Sequence, residues 1–131
     1  MRRLTMILPL MLAACVTETE IPDGRTAFIQ DCVACHGTDA KGSGSLALGV
    51  GIIAPDLTQI STRNGGTFPR QKVMAIIDGL NRDTHFSNAM PEFGAGDLGE
   101  AVIVEGEDGL GTPTPVRLTA LADYLDRIQQ P

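Results

Sequence analysis

An all-α domain built on three main helices is the fold this sequence predicts, and three observations carry that expectation. Each long periodic stretch repeats its apolar residues at three- and four-residue intervals, the spacing that gathers them on one helical face. The joins between these stretches are rich in Gly and Pro, which punctuate rather than extend regular structure. Aromatic residues are only 4% of the 131, with no Trp and a single Tyr124, so the core is thin and gains from a large apolar cofactor.

The first fourteen residues, MRRLTMILPLMLAA, stand apart from that fold. Arg2 and Arg3 make a charged start, Leu4 to Leu12 an apolar run and Ala13-Ala14 a small-residue end, which together read as an export signal over 1–14. Cys15 follows, and LAAC resembles the lipobox of bacterial lipoproteins, in which the signal is cut before the cysteine and that cysteine receives a diacylglyceryl group. Residues 15–22 then form a lipidated tether. Its VTETEIP portion spans at most about 25 Å, so the domain over 23–131 is expected to ride close to a membrane on the periplasmic side.

The first helix begins at Asp23, a capping residue, and carries Phe28, Cys32 and Cys35 at helical spacing until Gly37 ends it. The following TDAKGSGSLALGVGIIAPDL has no period and reads as a Gly-rich loop wrapped around something. A second helix opens at Pro69, with Val73, Ile76, Ile77 and Leu80 inward and Gly79 near its end. Met74, beside Val73, reads as core filler. The polar loop NRDTHFSNAMPEFGAGD holds His85 and Met90. A stretch near 97–113 has a β-branched run and an acidic, Gly-rich turn, which suits a small hairpin or a loop insertion. The last helix is capped by Thr114 and opened by Pro115, with Leu118, Leu121, Ala122, Leu125 and Ile128 as its stripe.

Within the first helix, DCVACHG admits three chemistries. Structural zinc needs four N or S ligands, and beyond Cys32, Cys35 and His36 only His85 is left once Cys15 is claimed by the signal. A redox disulfide needs its CxxC at the start of a helix after a strand, whereas this pair ends an amphipathic helix. Covalent haem needs two thiols for two vinyl groups and an adjacent histidine for the iron, and C-x-x-C-H supplies them in an exported chain. For the sixth ligand Met90, 54 residues after His36, is preferred: its thioether lies in a polar loop, beside Asn88 and Glu92, and a proline follows it. His85 is the rival, and bis-histidine ligation would lower the potential.

From GRTAFIQDCVACHG through APDL and MPEF to LTALADYL, the chain resembles a class I cytochrome c. The resemblance implies three helices around one haem c, bound through Cys32 and Cys35 and ligated by His36 and Met90. It implies that Gly24 and Phe28 let the first helix cross closely over Leu121, Tyr124 and Leu125 of the last. It places Pro55 where the family offers a backbone carbonyl to the ligating imidazole, and sets Leu57 against the haem. Arg63, Asn64 and Arg70 are nominated for the propionates. The acidic segment near 97–113 departs from compact members of the family.

The function expected from these residues is single-electron carriage, not catalysis, because two side-chain ligands leave no coordination position for a substrate. The competing classes are a haem subunit of a periplasmic oxidoreductase and a haem enzyme with a labile sixth ligand. The formal charge is −6, and losing Arg2 and Arg3 with the signal leaves −8, which disfavours nucleic acid. Membrane-associated or periplasmic redox proteins with basic patches are the expected partners, through contacts that weaken with salt. The same charge also suits solubility alone.

Overall fold

The computed structural model describes residues 23–80, 90–96, 98–106 and 109–131. The expected signal over 1–14, the tether over 15–22 with Cys15, and His85 lie outside these residues. Among the described residues the architecture is mostly helical: α1 (Gly24–Asp31), α2 (Val33–His36), α3 (Ser45–Gly49), α4 (Ile60–Arg63), α5 (Arg70–Asp78) and α6 (Val116–Arg127), with a two-stranded ribbon of β1 (Ala101–Glu105) and β2 (Gly111–Pro115). No helix among them is long and apolar enough to cross a membrane.

The frame is the crossing of α1 over α6. Asp23 caps α1 by accepting the Thr26 N–H at 3.3 Å. Gly24 then touches α6 directly: a Cβ there would overlap the Ala120 carbonyl and press on the Cβ of Tyr124. One turn on, the buried Phe28 ring meets Tyr124 at a centroid distance of 5.3 Å, tilted by 42°, an arrangement aromatic pairs favour. Where α1 ends and α6 begins, Arg117 donates to Asp31 Oδ2 from Nε at 3.1 Å and from Nη2 at 2.7 Å.

Against this pair lies α5, whose Val73, Met74 and Ile77 join Phe28, Leu118, Leu121, Ala122 and Leu125 in one core. Arg70 ties α5 to α6 through an ion pair with Asp123 and a 3.3 Å bond from Nη2 to the Thr119 carbonyl. β1 and β2 pair antiparallel, with Ile103 opposite Pro113, and lean over α5 and α6. An open cleft of about 360 Å³ lies between them, lined by Met74, Ala75 and Leu118 on the helices and by Val104, Thr112 and Thr114 on the ribbon.

Several expectations are corrected. The first helix is not continuous to Gly37: Cys32 (φ −116°, ψ −30°) interrupts it, so Phe28 and the two thiols do not share one unbroken face. Leu80 is 82% exposed rather than inward, because Gly79 at φ +101° ends α5 in a left-handed turn and swings the chain off the helical face. Thr114 and Pro115 do not cap and open the last helix. Both complete β2, Thr114 being taken into the ladder opposite Val102, and α6 starts at Val116 with Pro115 before it. The loop read as aperiodic holds α3 and, starting at the Leu57 of APDL, a 3-10 turn over Leu57–Gln59 that runs into α4; these pieces are too short to show a period.

Candidate functional site

Among the described residues, the two thiol-bearing positions, Cys32 and Cys35, sit at and in α2. The Cys35 and His36 amides both donate to the Cys32 carbonyl, at 3.2 and 2.9 Å, so the short helix winds tightly from Cys32 onward. Its histidine is buried, at 8% exposure, and its Nδ1 lies 3.3 Å from the Pro55 carbonyl oxygen. A carbonyl can only accept, so Nδ1 carries the proton and Nε2 keeps its lone pair. Burial pushes the imidazole pKa below its ordinary 6.5, the Pro55 bond opposing that more weakly, so the ring is neutral at pH 7.

The loop that delivers Pro55 is folded back onto α2 by its own backbone. Gly42 donates to the His36 carbonyl at 2.8 Å, Gly44 to Cys35 at 3.1 Å, and Leu57 to Ala40 at 2.8 Å. This close return requires glycine. A Cβ on Gly42, at φ +88°, would overlap the Ala54 carbonyl, and one on Gly44 would run into the Ala34 and Cys35 backbone. Asp56 stiffens the next step by accepting the Thr58 hydroxyl at 2.6 Å and its N–H at 2.8 Å. The tail beyond α6 then pins the segment: Gln129 donates to the Leu57 carbonyl at 2.8 Å and accepts the Ser61 N–H at 2.8 Å.

Cys32 is packed against the core, and its thiol pKa is pushed up to about 12, mainly by burial and then by the Asp31 charge, with Arg117 opposing. That thiol is therefore protonated at neutral pH. Cys35 is half-buried, and both thiols are free. Leu57 and Met90 are partly buried against the same core that receives Cys32, so the structure gathers Cys32, Leu57 and Met90 on one apolar body and His36 with Pro55 beside it. Arg63, Asn64 and Arg70 have other partners: the Asp56 carbonyl at 2.7 Å, the Ile60 carbonyl at 2.7 Å, and Asp123 with Thr119. Among the described residues no three His, Cys, Asp or Glu side chains form a metal-holding group, which leaves the zinc alternative without a ligand set there.

Asp56, Gly42 and Gly44 were not singled out by sequence reasoning. The Asp-x-Thr spacing of Asp56 and Thr58 is a local turn signal that could have found the first, and the paired glycines of KGSG hint at a close backbone approach.

A helical chain crossed at Gly24 and Tyr124, with a C-x-x-C-H turn whose imidazole is aligned by a proline carbonyl, is a c-type cytochrome in outline. The model of the family described as "Cytochrome C oxidase, cbb3-type, subunit III" matches residues 19–105, and the chain belongs to this family of cytochrome c domains. The match ends at Glu105, the last residue of β1. No curated protein and no solved structure matches the chain. Membership implies a covalently bound haem c and haem-based electron transfer. The residues present fit that group: the buried His36 ring has Nδ1 engaged and, among the described residues, no partner at Nε2, an unshared lone pair in an apolar setting suited to iron.

Proposed function

We propose that the protein is a single-electron carrier with one haem c, attached through Cys32 and Cys35 and ligated by His36 and Met90. When bound, the haem supplies an iron that gains and loses one electron. His36 would hold that iron through Nε2, with the ring's orientation and basicity set by the Pro55 carbonyl. Met90 would hold it through its thioether, a soft ligand that favours reduced iron and raises the potential. With both axial positions filled by side chains, no site is left for substrate, and the protein is not an enzyme. Leu57 covers the ring and excludes water.

The observation that carries this proposal is the buried, neutral His36 ring, whose Nδ1 is engaged by Pro55 while its Nε2 has no partner among the described residues. The test is optical: oxidised protein should show the far-red charge-transfer band of thioether-to-iron bonding and should not bind cyanide at once. Rapid cyanide binding without that band would instead favour an enzyme with a labile sixth ligand.

The same proposal makes Cys15 the lipidated residue and puts the domain on the periplasmic side of a bacterial membrane, facing membrane-associated or periplasmic redox proteins. A second reading, a haem subunit of a periplasmic oxidoreductase, is favoured by the family description, which is that of an oxidase subunit. Affinity purification from detergent extracts separates the two. A stoichiometric catalytic chain would make the protein a subunit, whereas recovery alone supports a carrier.

A further inference from the structure

The two edges of the ribbon are not equivalent. Hydrogen bonds from Val116 N–H to the Glu100 carbonyl at 2.8 Å and from Gly106 N–H to the Leu110 carbonyl at 2.9 Å bracket the ladder and set its phase. With the register Val102 opposite Thr114 and Val104 opposite Thr112, the even-numbered residues of β1 bond inward to β2. The backbone N–H and C=O groups of Ala101, Ile103 and Glu105 therefore point outward along the free edge of β1. On the far edge of β2 the outward positions include Pro113 and Pro115, which have no N–H to offer.

Proline closes one edge and leaves the other open. Among the described residues, Ala101, Ile103 and Glu105 make no backbone hydrogen bond beyond the ribbon, and Ile103 is 70% exposed. Natural sheets protect such an edge or use it. We propose that the outer edge of β1 is a strand-addition site that accepts an extended, lysine- or arginine-bearing segment of a partner protein.

Charge selects that occupant. No lysine or arginine occurs between Arg82 and Arg117, while Glu100 and Glu105 stand at the two ends of β1. Self-pairing is disfavoured by the same residues: an antiparallel pair of two such edges would gather four glutamates and no lysine or arginine at one seam. Ile103 and Glu105 share one face of the strand and Glu100 lies on the other. An extended segment with a basic residue two positions from an apolar one therefore satisfies the open backbone groups, lays the apolar side chain on Ile103 and meets Glu105, while a further basic residue three positions to the other side meets Glu100. Electron transfer is not assumed here, so a failure of the haem assignment would leave this proposal standing.

The probe is a synthetic peptide with a central valine, a lysine two positions to one side of it and a lysine three positions to the other, added to the full-length holoprotein in detergent, with amide hydrogen exchange as the readout. At saturation the Ile103 and Glu105 amides should exchange at least about tenfold more slowly, and the effect should fade with salt. Ile103→Pro removes an outward donor without touching the ladder and should weaken peptide binding about tenfold. If that variant loses protection at Val102 and Val104, the hairpin itself has opened, and Glu100→Lys with Glu105→Lys decides: binding must shift from the lysine–valine peptide to a glutamate–valine one. No amide protection by saturating peptide, or binding indifferent to both the proline and the charge reversals, overturns the proposal. Self-association of the protein alone that Ile103→Pro abolishes would overturn it in favour of a second copy.

Discussion

The Nδ1–H of His36 is directed at the carbonyl oxygen of Pro55, 3.3 Å away, although the two residues are nineteen positions apart in the chain. One hydrogen bond thereby decides the tautomer of a buried imidazole and leaves Nε2 as its only basic atom. The intervening loop reaches back that far because Gly42 and Gly44 lack side chains where the backbone of Ala54 and Cys35 lies against them.

Met90→Ala should remove the thioether ligand. The oxidised protein is then expected to lose its far-red band, become five-coordinate or water-ligated, and fall in potential, since methionine ligation raises it. Electronic spectra and a redox titration read this directly. An unchanged spectrum would pass the ligand role to His85 or Met74.

Cys15→Ser should separate anchoring from haem attachment. Fractionation is expected to find the variant released from the membrane with its haem still bound, because Cys32 and Cys35 form a complete pair in and beside α2. Haem loss in this variant would contradict that division of labour among the cysteines.

Gly24→Val places a branched side chain where α1 touches the Ala120 carbonyl. The helices must part or the chain must bend, at a cost of about 1–3 kcal/mol or more. Denaturant unfolding should show the loss, and near-ultraviolet circular dichroism should report a changed environment for Tyr124. A variant as stable as the parent would mean the crossing can open freely.

Asp56 makes acid sensitivity local. The Thr58 hydroxyl, more than its N–H, holds the Asp56 carboxyl below its ordinary value of 3.8, against a smaller opposing effect of burial. The folded state thus binds this proton less readily than the unfolded chain, so the stabilisation is complete above that value and is lost as pH falls through the lowered one. Asp56→Ala should cost about 0.5–1 kcal/mol near neutrality, as for a lost cap on an exposed turn, and the gap from the parent should close in strong acid. Thermal melts of both proteins across that range test it, and a gap that persists when the carboxyl is protonated would assign the effect to packing.

Much of this was legible in the chain, for reasons that differ by element. α1, α5 and α6 are long enough to repeat their apolar residues, so Phe28, Val73, Leu121 and Leu125 announce a buried face. The close crossing is carried by Gly24 and Tyr124, whose pairing the family resemblance supplied and the structure displays. By contrast α3 and α4 hold five and four residues, less than a period needs, and exist because they pack on neighbours. Leu80 and Thr114 misled for one reason. Each continues a helical pattern on paper, but a left-handed Gly79 in the first case and a ladder to Val102 in the second assign the backbone elsewhere.

What the sequence determined by itself is local and covalent: a C-x-x-C-H turn with two thiols and an imidazole within five residues, a Met-Pro further on, and a stretch from Arg82 to Arg117 without a positive charge between them. Such features survive any folding, because they follow from the order of residues. The tertiary structure decided which nitrogen of His36 is engaged, which thiol packs against the core, and which edge of the ribbon is left open among the described residues. Those properties depend on burial and on hydrogen bonds between segments far apart in the chain, and only the packed backbone brings those segments within bonding distance.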